Sequence, residues 1–148
     1  MATILLPKDF SEFLKLLNSK QVEYLVIGGY AVGYYGYPRA TGDMDIWVSR
    51  AEGNAVKIVE VFKEFGFDVP NLSTEPFTKE NQVTRIGVPP MRIEVLTTIS
   101  GISFDECYSN RKTSVIDDVE INFIGLEDLK KNKAASKRYK DLDDLENL

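Results

Sequence analysis

The spacing of apolar residues predicts a helix followed by a strand near the start of the chain. The helix is indicated by four apolar positions at helical spacing, Phe10, Phe13, Leu14 and Leu17. Asp9 and Glu12 are spaced as in a capping box, which predicts that they stabilise the beginning of this helix. The compact apolar run at 22–27 contains β-branched residues and is typical of a buried strand.

Two adjacent glycines, Gly28 and Gly29, end this apolar run. Residues 30–35 predict a short helix, so the glycines would form a strand-to-helix turn. The alternation that follows predicts a strand at 43–48. Its core-facing residues would be Met44, Ile46 and Val48, and its other face would carry Asp43, Asp45 and Trp47.

The rest of the chain predicts a helix, a loop, two strand pairs and a helical end. Apolar positions at 55–65 indicate a helix that Gly66 would stop. Residues 67–82 lack periodicity and predict a long loop. Antiparallel pairs are predicted for 83–88 with 91–97 and for 113–116 with 119–124, the second turning at Asp117-Asp118, and the chain becomes helical from Gly125.

These elements predict an α/β fold in a single domain, residues 1–148. We expect a small twisted mixed β-sheet flanked by helices, with an acidic site at one open face of the sheet. In the strand at 91–97, Ile93 and Val95 would face one way, and the other face would carry Arg92, Glu94 and Leu96. The chain has no internal repeats and no low-complexity tract, which favours one domain.

The composition removes several kinds of catalysis. The chain has no histidine, which excludes Ser-His-Asp and Cys-His catalysis and histidine zinc sites. Its one cysteine, Cys107, cannot form an intrachain disulfide and is expected to be a small apolar filler. A net charge of −5 disfavours binding of long nucleic acids. No membrane span or signal peptide is recognisable, so a cytoplasmic location is expected.

Asp43 and Asp45 would project from the same side of their strand, with Cα atoms about 6–7 Å apart. Carboxylates crowded in this way repel each other unless a cation lies between them, and oxygen ligands suit Mg²⁺. Glu94 is the one acidic residue in an apolar predicted strand. It would therefore be a third metal ligand or form a surface pair with Arg92. The upstream glycines would let backbone N–H groups approach phosphates closely.

The combination of these residues resembles the signature of the polymerase-β-type nucleotidyltransferase superfamily, most closely its small single-domain prokaryotic members. The signature consists of Gly28-Gly29, then Asp43-x-Asp45, then an acidic residue in a later strand. The resemblance covers nearly the whole chain. Arg39-x-Thr41, just before the carboxylate pair, supports the resemblance. Near the C-terminal end, Lys133, Arg138 and Lys140-Asp141-Leu142 are similar to a basic segment and a Lys-Asp-leucine helix of those members.

The resemblance implies Mg²⁺-dependent transfer of a nucleoside monophosphate from a nucleoside triphosphate to an acceptor hydroxyl, with release of pyrophosphate. Asp43, Asp45 and Glu94 would be catalytic and would ligate two Mg²⁺ ions. The implied nucleotide-binding residues are Gly28, Gly29, Arg39, Thr41, Lys133 and Arg138. The acceptor stays open among a protein, a small molecule and an RNA end, and a partner protein or a second copy would complete its site.

Three other functions are compatible with the sequence. A catalytically silent nucleotide-binding module, such as an antitoxin-like regulator, would bind Mg²⁺–nucleotide without releasing pyrophosphate. A glycosyltransferase with a DxD motif would also use paired carboxylates and a metal, but would leave Gly28-Gly29 unexplained. A purely structural interaction domain would bind no nucleotide, and Lys133 and Arg138 would then belong to a solvated helical face.

Overall fold

The structure is a computed structural model that describes residues 6–37, 42–88 and 92–148. None of the helices in these ranges is long and apolar enough to cross a membrane. The elements in chain order are α1 Lys8–Ser19, β1 Tyr24–Ile27, α2 Gly28–Tyr34, β2 Asp43–Val48, α3 Glu52–Phe65, α4 Glu75–Thr78, β3 Val83–Ile86, β4 Arg92–Leu96, α5 Phe104–Ser109, β5 Lys112–Ile116, β6 Val119–Phe123, α6 Leu126–Ser136 and α7 Tyr139–Asn147.

The six strands form one mixed sheet in the order β3-β4-β2-β1-β6-β5. β1 lies in its middle, antiparallel to β2 and parallel to β6. All four of its residues are buried, because this central strand is covered on both faces. Such a strand has no position that suits a charged side chain. β4 pairs parallel to β2 and antiparallel to the edge strand β3. The predicted α/β fold with a mixed sheet and flanking helices is therefore confirmed.

The predicted turns are present in the structure, and several of their residues have a positive φ. α2 begins directly at Gly28, so the two glycines do join a strand to a helix. Gly66 ends α3 in the left-handed conformation, with a φ of 109°, which costs glycine little because it has no Cβ. Asp117 and Asp118 have φ values of 50° and 63°. Two such residues between antiparallel strands match the tight turn that suits a twisted hairpin.

Two details at the start of the chain differ from the prediction. α1 follows Pro7, and no side chain caps its first turn, so the predicted capping box of Asp9 and Glu12 is wrong. Asp9 instead lies inside the first turn, where a negative charge favours the positive end of the helix dipole. The first strand begins at Tyr24, two residues later than predicted.

The sheet face that carries the acidic residues is covered at one end, which the sequence did not predict. α5 was missed, and its Phe104 packs edge-on against Trp47 at a ring separation of 5.2 Å. Trp47 is consequently 2% exposed rather than open to solvent. Cys107 of α5 is also buried, and burial raises the pKa of its thiol to about 12. It therefore packs as a small apolar group, as predicted.

The last two helices are joined by a buried ion cluster, formed by Lys133, Asp141 and Asp144. The Lys133 ammonium lies 2.8 Å from Asp141 Oδ1 and 3.1 Å from Asp144 Oδ2. All three side chains are at most 4% exposed. Arg138 and Ser136 also donate hydrogen bonds to Asp141. Paired charges of this kind are costly to separate, so the buried ion cluster fixes α7 on α6.

Asp141→Asn is expected to lower the free energy of unfolding at pH 7 by about 3 kcal/mol, because it leaves Lys133 less neutralised in a buried place. Burial raises the pKa of Asp141, but hydrogen bonds from Arg138, Lys133 and Ser136 more than offset this, so the pKa is lowered overall. The stabilisation is then complete above the pKa of an unfolded aspartate, about 4. Urea denaturation should show that the difference from wild type shrinks as pH falls below it.

Glu146→Gln is the matched control for this variant, since Glu146 is an exposed residue of the same helix. Its unfolding free energy should stay within about 0.5 kcal/mol of wild type. An Asp141→Asn protein as stable as the control would show that the buried ion cluster does not hold α7.

Candidate active site

Parallel pairing of β2 with β4 brings the three predicted carboxylates to one face of the sheet. Asp45 is the Cα partner of Glu94, and Asp43 is the partner of Arg92. Neighbouring strands lie about 4.8 Å apart, and residues two apart on a strand share a face. Asp43, Asp45 and Glu94 therefore occupy adjacent positions, and we call these three residues the acidic face.

Two arginines neutralise much of the acidic face. Nη2 of Arg92 lies 2.9 Å from Oδ2 of Asp43 and 3.3 Å from Oε1 of Glu94. Nε of Arg85, in the edge strand β3, lies 3.1 Å from the same oxygen of Glu94. The hydrogen bond to Asp43 raises the pKa of Arg92, so its charge is permanent. Asp43 and Glu94 are therefore each ion-paired with at least one guanidinium.

Gly28 lies directly against the acidic face. Its φ is +67°, and a Cβ at this position would overlap Oδ2 of Asp45. Ile27, the preceding residue, is the Cα partner of Asp45 across the β1–β2 pair. Only glycine both tolerates this φ and leaves room for the carboxylate. The glycine pair and the carboxylate pair, which are separated in the sequence, thus meet in the fold where Gly28 lies against Asp45.

The two predicted basic residues at the C-terminal end differ in exposure, and Arg138 is the accessible one. It precedes α7, and its Nε donates to Oδ2 of Asp141 at 2.6 Å. That bond raises the pKa of Arg138, and the negative charge of Asp45 adds to the effect. Its side chain is 75% exposed, so it is accessible to a ligand. Lys133 is instead enclosed in the buried ion cluster.

Arg39 and Thr41 lie outside the described residues. Their predicted role in nucleotide binding therefore stays a prediction. The chain around them is anchored to α7 on one side, where the Tyr37 hydroxyl donates to Oδ2 of Asp143 at 2.9 Å. On the other side, the backbone N–H of Arg92 donates to the carbonyl of Gly42.

The donor chemistry of the acidic face fits Mg²⁺, because all three candidate ligands are carboxylates and no softer donor lies among them. The side-chain placement is not that of a formed metal centre. In the described ranges, no three acidic, cysteine or histidine side chains are gathered closely enough to hold one ion. Two of the three carboxylates are instead ion-paired, Asp43 with Arg92 and Glu94 with both Arg92 and Arg85. Metal binding would need these side chains to rearrange.

The residues predicted for the site do not include Arg85, and they include Arg92 only as a surface partner of Glu94. A sequence signal existed for both. Arg92 is two residues before Glu94 and therefore shares its face. Arg85 lies in the strand predicted to pair with that of Glu94, and in the structure it is the antiparallel Cα partner of Glu94. A basic residue beside a predicted metal ligand, on the same face, is the pattern that identifies such a neutralising group.

A cavity of about 580 Å³ opens beyond the far end of β2. Its lining includes Trp47, Arg50, Thr98 and Phe104. The Arg50 guanidinium there is already bound to Glu80 and to the carbonyl of Thr78. The cavity lies at the opposite end of β2 from Asp43 and contains none of the predicted site residues.

Gly28→Ala should destabilise the protein by about 1–3 kcal/mol, because alanine is strained at positive φ and would displace the Asp45 carboxylate. Gly33→Ala is the matched control in the same helix, since nothing lies within 4 Å of a Cβ there. It should be neutral or stabilising by up to about 1 kcal/mol. Urea denaturation measures both variants, and equal stabilities would contradict the assigned contact.

Comparison with known proteins identifies the family and a similar fold. The family model described as "Nucleotidyl transferase of unknown function (DUF2204)" matches residues 7–148. No curated protein matches. The crystal structure of a "putative nucleotidyltransferase", TM1012 from Thermotoga maritima, has a similar fold, with a TM-score of 0.57 and 19% sequence identity over 92% of this chain and 83% of that one. The chain therefore belongs to this family of nucleotidyl transferases whose function is unknown.

Proposed function

We propose that the acidic face is the active site of an Mg²⁺-dependent nucleotidyltransferase. The protein would move a nucleoside monophosphate from a nucleoside triphosphate to an acceptor hydroxyl and release pyrophosphate. The observation that carries the proposal is the contact of Gly28 with Asp45 beside Glu94. Membership of a nucleotidyl transferase family supports the same reaction class.

Asp43, Asp45 and Glu94 would hold two Mg²⁺ ions. Bound Mg²⁺ would supply charge neutralisation to the triphosphate and would make the acceptor hydroxyl easier to deprotonate. Glu94 would help to take the proton of that hydroxyl. The acceptor oxygen forms its new bond to the α-phosphorus, and the bond from the α-phosphorus to the bridging oxygen breaks, so that pyrophosphate leaves.

The phosphates would be held by groups around the acidic face. Arg138 is exposed, and its charge interacts favourably with that of Asp45, so it is a proposed phosphate ligand. The backbone N–H groups of Gly28 and Gly29, together with Arg39 and Thr41, are further proposed phosphate ligands. Lys133 would act on the nucleotide only if it left two buried carboxylates, so the geometry favours Arg138.

The acceptor would be a protein, a small molecule or an RNA end. The net charge of −5 makes long DNA a poor partner. A partner protein or a second copy of this chain would complete the acceptor site, and the reaction would take place in the cytoplasm.

A catalytically silent nucleotide-binding module, such as an antitoxin-like regulator, is the second candidate function. The ion pairs of Arg92 with Asp43 and Glu94 favour it, because a carboxylate held by a guanidinium is a weaker metal ligand. Such a module would be stabilised by Mg²⁺–nucleotide without turnover. Pyrophosphate measurement in parallel with calorimetry separates the two candidates.

Asp45→Asn is expected to reduce pyrophosphate release by at least about a hundredfold, because the amide removes a negative charge where the metal and the triphosphate would bind. The melting temperature without ligand should stay near that of wild type. The readouts are pyrophosphate release with each of the four ribonucleoside triphosphates and the thermal shift caused by Mg²⁺ with the same nucleotides.

The control is Asp118→Asn in the β5–β6 turn, where asparagine tolerates the positive φ of 63°. It should keep wild-type turnover and thermal shifts. Undiminished turnover in Asp45→Asn would exclude the acidic face as the active site. Nucleotide-dependent stabilisation without pyrophosphate in the wild type would favour the silent module.

A further inference from the structure

We propose that Arg92 is a built-in counter-ion of the acidic face, which excludes bare divalent cations and moves to the triphosphate when Mg²⁺–nucleotide binds. This inference rests on the proposed function and adds a regulatory and positioning role to a residue outside the predicted ligand set. Its first support is position. Arg92 is in β4, on the same face as Glu94, and its Cα partner is Asp43.

The second support is the contact geometry of a single nitrogen atom. Nη2 of Arg92 lies within 3.3 Å of carboxylate oxygens from both Asp43 and Glu94. These carboxylates come from adjacent strands and are two of the three proposed metal ligands. A cation shared between them occupies the electrostatic position that a metal ion would take. The guanidinium must therefore leave before both oxygens can turn to a metal.

The third support is the charge of the incoming ligand. A bare Mg²⁺ or Mn²⁺ ion is repelled by the Arg92 guanidinium and competes with it for the same oxygens. A Mg²⁺–triphosphate complex is negatively charged overall, so it attracts the guanidinium while it delivers the metal. Arginine is suited to this exchange because its planar fork binds carboxylate and phosphate oxygens with similar geometry.

Arg85 shows by contrast what is specific to Arg92. It also contacts Oε1 of Glu94, at 3.1 Å, but it lies on the edge strand and contacts no second carboxylate among its described ion pairs. Its side chain is 56% exposed, whereas that of Arg92 is 30% exposed. A charge that is more exposed is screened more strongly by solvent. Arg85 would therefore shield Glu94 without bridging the acidic face.

The test is calorimetry with two probes, Mn²⁺ alone and Mg²⁺–tripolyphosphate, which needs no knowledge of the nucleobase. Arg92→Gln is expected to bind Mn²⁺ about tenfold more tightly than wild type and Mg²⁺–tripolyphosphate about tenfold more weakly. Arg85→Gln, with the same change of charge, should change both affinities by no more than about threefold. Arg92→Lys keeps the charge and should restore the Mn²⁺ affinity of wild type.

A purely structural role of Arg92 would not change the two affinities of Arg92→Gln in opposite directions, since a damaged site would bind both probes more weakly. Unchanged or weaker Mn²⁺ binding by Arg92→Gln overturns the inference, and so does an equal effect of Arg85→Gln. If Mn²⁺ binds wild type and Arg92→Gln equally but not Asp45→Asn, the proposed function stands and the role of Arg92 fails. If no protein in the set binds either probe, the proposed function itself fails.

Discussion

The parallel register of β2 with β4 is the constraint on which the acidic face depends. It sets Asp45 beside Glu94 and Asp43 beside Arg92. A slip of β4 by one residue would turn its side chains, Arg92 and Glu94 included, to the opposite face. The same register places Met44 beside Ile93 and Ile46 beside Val95, all four of them buried. Hydrophobic burial on one face therefore fixes the arrangement of charges on the other.

The strands and their turns could be predicted because the residues within each short segment are enough to identify it. An apolar run that ends at Gly28-Gly29 indicates a buried strand followed by a turn, and Asp117-Asp118 indicates a hairpin. The helix α5 and the burial of Trp47 could not be predicted in this way. Both depend on packing between Phe104 and Trp47, which are far apart in the chain. Alternation identifies the face of a strand but not what covers that face.

The sequence predicts which carboxylates form the acidic face, but it does not predict which of them are ion-paired. The carboxylates follow from spacing on strands, and Gly28 follows from the turn that it makes. Pairing of Arg92 with Asp43 depends on strand order, and the sequence of one strand does not reveal its neighbour. Lys133 shows the same limit, because its burial arises only where Asp141 and Asp144 meet it across two helices. A basic residue near an acidic site can therefore be either a ligand-binding group or a structural one.

The most direct test of the acidic face as a nucleotidyl-transfer site is a crystal structure with Mg²⁺ and a non-hydrolysable analogue of the nucleoside triphosphate that stabilises the protein most. The proposed site predicts a triphosphate on the acidic face, a metal ligated by Asp43 and Asp45, and Nη2 of Arg92 moved from Asp43 to a phosphate oxygen. A nucleotide seated instead in the cavity beside Arg50 and Thr98, with Arg92 still on Asp43, would contradict it.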